Sequence, residues 1–544
     1  MNNTAKKRLT VITLVFLLLF IAIIVHLYFL QIKKNNFFSL LGQQQYHVNS
    51  KILPIRGNIY DCKGQLIATE KSIISIFTTP NNLKDKSKLI SFLSDNYPAA
   101  LIRLNKNPEA QFIYIARNIS QNELEALNQK PLADIYILEE PGRYYPISSL
   151  GAVIGRTDID NQGISGLELI YNEQLAGTPS MIHLEKDARS GRYYFNKKTL
   201  SQGTHGNSVN LTIDSTLQFH AYEELQETVE KFEAKEGAVI IMDPISGFIY
   251  AMVSIPDINP NNKDIQDLSL LKNRIVTETY EFGSVMKTFL ALSALEENLY
   301  EPESIIDCEN SKIGYINGQK FSTWKEHGEL TFSQVIEYSN NIGTAKIAQK
   351  VGTKLYNHYR KCGFGKLTGL NFPGQQKGYI THPSTWSKAS LNSLSFGYEI
   401  RATLLQLACA FSIFANGGYL PTPKLVVPNF CEMTHTILYR PETVQKMRAI
   451  LEKTCNQGTA HAAVIPGVTV LGKTGTARLL DEAGHYSPLK NIYTFAGIIE
   501  KGNYKRVIVT FIKEASRHDL YASTVAAPLF ERIAQKTLIH DKIM

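Results

Sequence analysis

Near its start the chain has 24 consecutive residues, from Leu9 to Ile32, without a charged side chain, and Leu, Ile, Val and Phe dominate them. At 1.5 Å per residue, a helix of this length measures about 36 Å and can cross a hydrocarbon layer of roughly 30 Å. A cleaved signal peptide would have a shorter apolar region and a small-residue cleavage site, and the sequence has neither. The segment predicts an uncleaved membrane-spanning helix. No second stretch of this kind follows, so we expect everything after Lys33 to lie on one side of the membrane.

The basic residues of the chain are concentrated around this segment. Residues 1–56 hold seven Lys or Arg and no Asp or Glu, while the formal net charge of the whole chain is +8. A basic region beside an apolar span is typical of a membrane-proximal segment rather than of a groove that follows phosphates. We therefore expect no nucleic-acid partner. Three positive residues before the span and two after it favour a cytoplasmic N-terminus only slightly.

Length and composition indicate several globular domains. The 544 residues leave room for about three domains. A content of 44% hydrophobic and 19% charged residues excludes a wholly disordered, collagenous or coiled-coil chain. No C-x-x-C pair or histidine cluster accompanies the cysteines, so we expect no metal and no other cofactor. We interpret the cysteines as isolated buried thiols, although an oxidising exterior would permit disulfides. The six are Cys62, Cys308, Cys362, Cys409, Cys431 and Cys455.

The region before residue 205 differs from the region after it. Up to about residue 205, short β-like runs alternate with polar connectors, and residues 80–103 are predicted to be a partly helical insertion. A β-like run at 211–214, followed by a helical pattern from Leu217 to Phe232, marks the change of character.

Two predicted hairpins indicate a sheet in the second region. The apolar runs 238–242 and 248–253 are separated by a turn with Pro and Gly, and the runs 494–500 and 506–512 form a similar pair. A helix is predicted from Ala526 to Leu538. Because most of the intervening sequence is helical in pattern, we predict an α/β domain whose sheet joins its first and last portions.

The first chemical signal is Glu281-Phe-Gly-Ser284-Val-Met-Lys287, which opens an apolar helical run. A serine at a helix start and a lysine three residues later lie on one face, about 5 to 6 Å apart at Cβ. The helix start points unpaired N–H groups at the serine oxygen, and a serine nucleophile needs a neighbouring base, here a neutral amine. Burial and a nearby cation would have to lower the lysine pKa by about 3 from its usual value near 10.4. Alone, the pattern also fits an N-cap serine with a solvated lysine.

The second signal is Tyr338-Ser339-Asn340-Asn341, which contains an S-x-N triplet. A hydroxyl that relays a proton and a carboxamide that binds a substrate amide would suit a position beside Ser284. A polar turn between two helices is the alternative interpretation.

The third signal is Val470-Leu-Gly-Lys473-Thr474-Gly475-Thr476-Ala477. Gly472 and Gly475 are expected to let a ligand backbone approach closely, as recognition by an added strand requires. Lys473 offers a positive charge that would bind a carboxylate and keep Lys287 neutral by repulsion. A phosphate-binding loop is the alternative for Gly472-Lys473-Thr474, but no helical pattern follows it.

The order of these three signals is more specific than any one of them. A serine and lysine, then a serine and asparagine, then Lys-Thr-Gly, is the signature of penicillin-binding proteins and serine β-lactamases. With this order the chain resembles a class B penicillin-binding protein, a monofunctional peptidoglycan transpeptidase, along nearly its whole length. Other stretches similar to that family are Arg56-Gly-Asn-Ile-Tyr-Asp61, Gly64, Arg143-Tyr-Tyr-Pro146, Gly163-Ile-Ser-Gly166-Leu-Glu168, Leu211-Thr-Ile-Asp214, Ser395-Phe-Gly-Tyr398, Ala415-Asn-Gly-Gly418 and Ala526-Ala-Pro528.

The resemblance implies an α/β (α+β) transpeptidase fold, with a sheet flanked by helices, preceded by a β-rich pedestal and one transmembrane helix. It implies a cytoplasmic tail at 1–8, the transmembrane helix at 9–32, a non-catalytic pedestal or dimerisation domain at 33–205 and the transpeptidase domain at 206–544. The protein would be a single-pass protein of the bacterial inner, cytoplasmic membrane with its catalytic domain outside the cytoplasm. Asn341 in the triplet, where an elongation-type protein has Asp, resembles the septal, cell-division branch.

The resemblance also implies catalytic roles. Ser284 would attack the carbonyl between the two D-alanines of a peptidoglycan stem peptide and form an acyl-enzyme. Lys287 would take the serine proton, and Ser339 would pass it to the leaving amine. Asn341 would hold the substrate amide.

A second set of residues would bind the substrate. Lys473 would hold the terminal carboxylate, with Thr474, Gly475 and Thr476 completing the subsite. The backbone N–H groups of Ser284 and Thr476 would form the oxyanion hole. β-Lactam antibiotics would mimic the D-alanyl-D-alanine end and stay on Ser284. A membrane glycosyltransferase and other division proteins are the partners that the resemblance implies.

Other functions stay open at this point. A serine β-lactamase would need a second, water-activating base, and no E-x-x-L-N element follows Ser284. A penicillin sensor would need further membrane or signalling segments. A non-enzymatic division scaffold is the alternative from another class of protein.

The chain departs from the family at four places. Phe282 stands where Pro is usual, Cys62-Lys63 where Arg-Asn is usual, Gln375 where Glu is common, and Ala522-Ser523 where a Gly pair is usual. None of these changes removes a proposed catalytic group, but they leave the loop geometry and the branch assignment open.

Overall fold

The computed structural model describes residues 3–186, 193–262, 267–316, 318–428, 436–481, 483–517 and 519–544. The chain divides into two compact units, an anchor unit of Met1–Arg56 with Ala176–Gly206 and a large unit of Gly57–Leu175 with Asn207–Met544. Residues 57–175 therefore lie in the same unit as the region after residue 207. The domain boundary expected at residues 205 and 206 stays a prediction.

The anchor unit begins with the apolar helix that the sequence predicts. Helix Asn3–Tyr28 continues into a π-helical turn, Phe29–Lys33. Within it, Lys6–Lys33 is long and apolar enough to cross a membrane, and none of it is buried against the protein. A helix, Asn35–Tyr46, then leads to a three-stranded antiparallel sheet. Its strands, in spatial order, are His47–Ile52, Ser180–Lys186 and Tyr193–Ser201.

Residues 57–175 of the large unit are organised around one long strand, Leu66–Thr78. It pairs antiparallel with Ile59–Tyr60, Ile113–Ala116 and Tyr136–Tyr144, and Val209–Asn210 runs parallel beside Ile59–Tyr60. The insertion predicted at 80–103 is helical, as expected. The helices of this part are Lys86–Asn96, Pro98–Lys106, Gln121–Gln129, Gly151–Ile154, Gly166–Ile170 and Asn172–Ala176.

A buried ion pair connects two of the family-like stretches in this part. Arg143 donates from Nε to Glu168 Oε1 over 2.6 Å and from Nη1 to the Gly57 carbonyl over 2.8 Å. Both charged side chains are almost completely buried. Removing one of them would leave the other as an uncompensated buried charge, which is strongly destabilising.

The second part of the large unit contains a five-stranded antiparallel sheet. Its strands are β1 (Glu236–Met242), β2 (Ile249–Ile255), β3 (Thr469–Leu480), β4 (Tyr486–Lys501) and β5 (Tyr504–Lys513). The spatial order is β2-β1-β5-β4-β3. Because β1 pairs with β5, the sheet joins the first and last portions of the region, as the sequence predicts. β3 pairs with β4 alone among the described strands and forms an edge of the sheet.

Both faces of this sheet are covered, which explains the unbroken apolar runs of its strands. Val239 and Ile241 belong to one apolar core, whereas Ala238 and Ile240 belong to the core on the opposite face. Six helices of this part are α1 (Ser215–Lys231), α2 (Lys287–Glu296), α3 (Phe332–Glu337), α4 (Asn341–Val351), α5 (Pro441–Asn456) and α6 (Ala526–His540). The helix predicted at 526–538 is thus confirmed as α6.

Further helices and strands lie between β2 and β3 in the sequence. The helices are Arg274–Thr277, Lys354–Lys361, Ser390–Ser395 and Leu404–Ser412. The strand pairs are Ile305–Asp307 with Glu329–Thr331, Ile313–Ile316 with Gln319–Ser322, and Tyr379–Ile380 with Ile400–Arg401.

The β-like run predicted at 211–214 is wrong in extent. The strand there is Val209–Asn210, and Leu211 forms only an isolated bridge with Val426. Asp214 instead caps α1, because its carboxylate accepts from the N–H groups of Thr216 and Leu217. An aspartate in this position starts a helix and does not continue a strand.

The cysteines of the described residues are free thiols. Cys62 is exposed, which corrects the expectation of a buried thiol at that position. Cys431 lies outside the described residues. The four buried thiols are Cys308, Cys362, Cys409 and Cys455.

Candidate active site

Ser284 lies in a 3₁₀ turn, Gly283–Met286, directly before α2, and Lys287 is the first residue of that helix. Ser284 is partly exposed, whereas Phe282 before the turn is almost completely buried. Gly283 has a φ of 56°, and a Cβ on it would lie 2.8 Å from the Thr476 carbonyl oxygen. Only glycine suits this position, so the turn packs tightly against strand β3.

Lys287 is fully buried, yet no carboxylate of the described residues lies within ion-pair distance of it. Its Nζ donates to the Ser339 carbonyl over 2.8 Å, to Ser339 Oγ over 3.1 Å and to Asn341 Oδ1. Burial lowers the pKa of Lys287 well below its usual value, and repulsion from Lys473 lowers it further. The side chain is therefore held in place by neutral groups and is disposed to give up its proton.

Ser339 and Asn341 follow the end of α3 in a short turn. Ser339 has a φ of 53°, unusual for a residue other than glycine, and its N–H donates to the Ile336 carbonyl over 3.1 Å. Asn340 caps α4, because its side chain accepts from the Gly343 N–H over 2.9 Å. Asn341 is thereby the first residue of α4. This turn points both proposed side chains at Lys287.

Lys473 lies on β3, and its side chain is fully buried. Nζ donates to the Thr474 carbonyl over 3.1 Å. Burial lowers the pKa of Lys473 to about 7, partly opposed by the nearby Cys455 thiol. The sequence analysis expects a positive charge on Lys473, and a buried amine with this pKa carries that charge only in part near neutral pH. Repulsion by its charged fraction acts on Lys287 in the expected direction.

The Lys-Thr-Gly sequence is part of an unbroken strand. β3 continues past Lys473 to Leu480, so the phosphate-binding loop, which needs a following helix, is excluded for these residues. Thr474 Oγ1 lies 3.2 Å from Thr459 Oγ1, and Thr476 Oγ1 accepts from the Ala522 N–H over 3.1 Å. Both hydroxyls therefore have fixed positions beside the turn that carries Ser284.

The glycines of β3 allow close packing within the protein, and the expectation that they let a ligand backbone approach stays a prediction. A Cβ on Gly475 would lie 2.3 Å from the Phe282 carbonyl oxygen and 2.6 Å from Val285 Cγ2. A Cβ on Gly472 would lie 2.3 Å from the Phe495 ring. We call the 3₁₀ turn Gly283–Met286 the nucleophile turn. Gly475 thus allows β3 to approach the nucleophile turn, which brings the backbone of Thr476 beside that of Ser284.

Two residues in contact with the site have no assigned role in the sequence analysis. The Lys287 ammonium lies 5.7 Å from the centre of the Phe396 ring, and the Ser322 carbonyl accepts from Asn341 Nδ2 over 2.6 Å. Phe396 belongs to a family-like stretch whose Gly397 packs on the Gly283 backbone, so the resemblance contains a signal for it. Ser322 contributes only its backbone, and no sequence pattern marks it.

The geometry brings three segments that are distant in sequence close together. Ser284, Lys287, Ser339 and Asn341 are connected through the hydrogen bonds of Lys287 and the turn before α2. Strand β3 borders the same turn through Gly475. A hydroxyl at a helix N-terminus, a buried amine without a counter-ion and a free strand edge together suit acyl transfer to serine.

Known proteins match nearly the whole chain. Residues 237–535 match the penicillin binding protein transpeptidase domain, and residues 51–211 match the penicillin-binding protein dimerisation domain. The probable peptidoglycan D,D-transpeptidase PbpC of Pseudomonas aeruginosa is 30% identical over 99% of this chain and 96% of its own length. Peptidoglycan D,D-transpeptidase FtsI of Buchnera aphidicola is 29% identical over 99% of this chain and 95% of its own length.

Solved structures show the same fold. Penicillin binding protein 3 from Mycobacterium tuberculosis, complexed with aztreonam, matches with a TM-score of 0.69 at 24% identity. The match covers 91% of this chain and 98% of that chain.

Proposed function

This chain belongs to the penicillin-binding protein transpeptidase family, and on that premise we propose that it is a peptidoglycan D,D-transpeptidase that works through a serine acyl-enzyme. The observation that carries the proposal is Lys287, a fully buried amine with a strongly lowered pKa and no carboxylate partner among the described residues. It lies three residues after Ser284 and contacts Ser339 and Asn341. A neutral amine in this position can serve as the base that serine requires.

In the first half-reaction, Ser284 Oγ attacks the carbonyl carbon between the two D-alanines. Lys287 accepts the hydroxyl proton as the new C–O bond forms, and this proton passes from Lys287 through the Ser339 hydroxyl to the departing amine as the C–N bond breaks, which leaves Lys287 neutral again. The products are an ester on Ser284 and free D-alanine. The backbone N–H groups of Ser284 and Thr476 stabilise the oxyanion, and one such donor is worth about 3 to 4 kcal/mol in other enzymes.

In the second half-reaction, an amine from a neighbouring stem peptide attacks the ester. Its extra proton returns to the Ser284 oxygen by way of Lys287, and a new amide bond cross-links the two peptides. A β-lactam enters by the same first step, but its ring-opened product remains on Ser284.

The terminal carboxylate of the donor stem peptide binds at the edge of strand β3, near Thr474. The hydroxyls of Thr474 and Thr476 reach it directly, with Gly475 between them, and Lys473 acts from beneath the surface because its amine is buried. A bound carboxylate stabilises the charged form of Lys473 and raises its pKa from about 7. Substrate binding therefore charges Lys473, which in turn repels a proton from Lys287.

We place the protein in the bacterial inner membrane as a single-pass protein, with residues 1–8 in the cytoplasm and the catalytic region outside it. Residues 33–205 serve as the pedestal and residues 206–544 as the transpeptidase domain. Septal wall synthesis during cell division is the proposed setting, supported by Asn341 in the second motif. A membrane glycosyltransferase and other division proteins are the proposed partners, because the sequence before residue 205 has no recognisable acidic glycosyltransferase motif.

Labelled penicillin tests the proposal most directly. We expect the full-length protein in detergent to be acylated at Ser284, located by mass spectrometry of the labelled peptide, and Ser284→Ala to lose the label. Equal labelling of the alanine variant would show that another residue is the nucleophile. With a D-alanyl-D-alanine donor and an added amine, aminolysis must compete with hydrolysis; hydrolysis at every amine concentration would indicate a β-lactamase-like hydrolase instead.

A further inference from the structure

A long stretch of the large unit carries positive charge without negative charge. From Tyr338 to Tyr398 the sequence has eight Lys or Arg residues and no Asp or Glu. Five of the eight contact carboxylates, aromatic rings or backbone carbonyls: Lys346, Lys350, Lys354, Arg360 and Lys361. Lys366, Lys377 and Lys388 are exposed, and their side chains form no hydrogen bond or ion pair with any residue that the structure describes.

Two of these free lysines are held side by side by one glutamine. The backbone carbonyls of Lys366 and Lys377 both accept from Gln406 Nε2, over 2.7 and 2.9 Å. Arg401 joins them, because it lies opposite Tyr379 in a two-stranded pair, two residues from Lys377. Arg401 is exposed and likewise forms no ion pair within the described part of the chain. We call Lys366, Lys377 and Arg401 the basic face.

The basic face is close to the nucleophile turn. Ala402, next to Arg401, exchanges two backbone hydrogen bonds with Tyr280, over 2.9 and 3.0 Å. Tyr280 precedes Ser284 by four residues. From the other direction, Gly397 packs on the backbone of the nucleophile turn, and Arg401 is four residues farther along. Four residues span at most about 14 Å, so Arg401 lies within that reach of the turn.

Glu281, a carboxylate that the charge of Arg401 affects, already accepts two hydrogen bonds. Glu281 accepts from the Glu399 N–H over 2.9 Å and from the Tyr486 hydroxyl over 3.0 Å. Arg401 is beyond ion-pair distance of Glu281, and its charge lowers the pKa of that carboxyl only by longer-range electrostatic attraction, against the larger effect of burial. The positive charges of the basic face therefore form no close ion pair with any carboxylate of the described residues.

The path of a donor peptide along β3 leads toward this face. In the proposed reaction the terminal carboxylate lies at Thr474 and the scissile carbonyl at the Thr476 N–H, so earlier residues of the peptide run on toward Leu480. Leu480 lies opposite Tyr486, whose hydroxyl contacts Glu281 beside the basic face. A five-residue extended peptide is at most about 18 Å long, which is longer than the upper bound of about 14 Å between the nucleophile turn and Arg401.

We propose that the basic face binds carboxylates of the donor stem peptide upstream of its D-alanyl-D-alanine end, and so selects donors with free carboxylates over amidated donors. This inference rests on the proposed function. The exposed cations gain modest energy from each ion pair, and the gain weakens with salt. The basic face therefore affects which donor peptide binds, whereas the reaction at Ser284 depends on Lys287, Ser339 and Asn341.

Competition with labelled penicillin tests the inference on the full-length protein in detergent. Two synthetic pentapeptides would have one sequence ending in D-alanyl-D-alanine and would differ only in whether their upstream carboxyl groups are free or amidated. The measured quantity is the concentration of each peptide that halves the rate of acylation of Ser284. We expect the free-acid peptide to be more effective by about fivefold at low ionic strength, and the ratio to approach one at high salt.

Variants assign the ratio to specific residues. The triple variant Lys366→Gln, Lys377→Gln, Arg401→Gln should bring the ratio close to one. The triple variant Lys86→Gln, Lys106→Gln, Lys130→Gln removes three exposed cations from residues 57–175 and should keep the wild-type ratio.

Each outcome decides the question. Equal competition by both peptides, no competition by either, or an unchanged ratio in the first triple variant overturns the inference. Partial unfolding lowers the amount of protein that can be acylated equally for both peptides and does not by itself change their ratio, so the ratio reports the side chains of the folded fraction. Absence of penicillin labelling in the wild type would instead refute the proposed function, so the two failures are distinguishable.

Discussion

Replacing Lys473 by Met should stabilise the protein near neutral pH even as it removes a proposed binding group. Lys473 is fully buried, with one hydrogen bond from Nζ to the Thr474 carbonyl, and its pKa is lowered from 10.5 to about 7. That lowering corresponds to roughly 5 kcal/mol of unfolding free energy lost when the folded protein must carry the charge. Methionine removes this cost and gives up one hydrogen bond, worth about 1 kcal/mol. The expected net gain is roughly 4 kcal/mol.

The pH dependence identifies the cause. Between pH 7 and 10.5 the unfolded chain still binds the proton that Lys473 has released in the folded protein, so wild-type stability rises with pH in this window. The cost of Lys473 is complete below pH 7. The advantage of Lys473→Met is therefore largest below pH 7 and shrinks as the pH rises toward 10.

Thermal unfolding of the full-length protein in detergent, between pH 6 and pH 9, measures this effect. A gain of about 4 kcal/mol corresponds to a Tm higher by roughly 4 to 6 °C at pH 6, because the unit that contains Lys473 is large. Lys272→Met, at an exposed lysine, is the matched control and should leave Tm unchanged. A lower Tm for Lys473→Met at pH 6, or a gain that is as large at pH 9 as at pH 6, would refute the argument from burial.

Three further outcomes follow from the structure. The rate of penicillin acylation should fall as the pH drops through the lowered pKa of Lys287, because a protonated amine cannot act as the base; a rate that begins to rise only near pH 10.5 would contradict this. Gly475→Ala should reduce acylation at least about 100-fold, since its Cβ would lie 2.3 Å from a backbone oxygen of the nucleophile turn. Gly328→Ala, whose Cβ has open space, is the control for that measurement. Glu168→Gln should lower the unfolding free energy by about 3 to 5 kcal/mol, because it leaves the Arg143 charge buried without a partner, and an unchanged Tm would argue against a structural role for the pair.

The sequence predicts those features of the fold that depend on local pattern. Apolar runs on both sides of a Pro- and Gly-containing turn identify β1 and β2, and a hydrophobic periodicity identifies α6. The extent of the run at 211–214 could not be predicted in this way, because Asp214 can either continue a polar connection or cap a helix. Its contacts with Thr216 and Leu217 decide between the two.

At the site, too, the sequence predicts the residue types but not the surroundings in which the fold places them. Ser284, Lys287, Ser339 and Asn341 are identifiable from the order of their motifs. The burial of Lys473, and with it the pKa of about 7, depends on packing from segments distant in sequence. The same holds for the glycines of β3, because their close neighbours come from the nucleophile turn and from β4. The contact of Ser322 with Asn341 involves only a backbone carbonyl, for which any residue type would serve.

The unpaired edge of β3 has a consequence for antibiotic resistance in the proposed function. A strand edge recognises its ligand through main-chain groups, which are the same whatever side chains line the strand. A substitution that weakens this pairing would harm the cell's own cross-linking reaction as much as it weakens the drug. Resistance substitutions that the cell tolerates should therefore lie at residues that contact parts of a β-lactam that have no counterpart in an extended peptide.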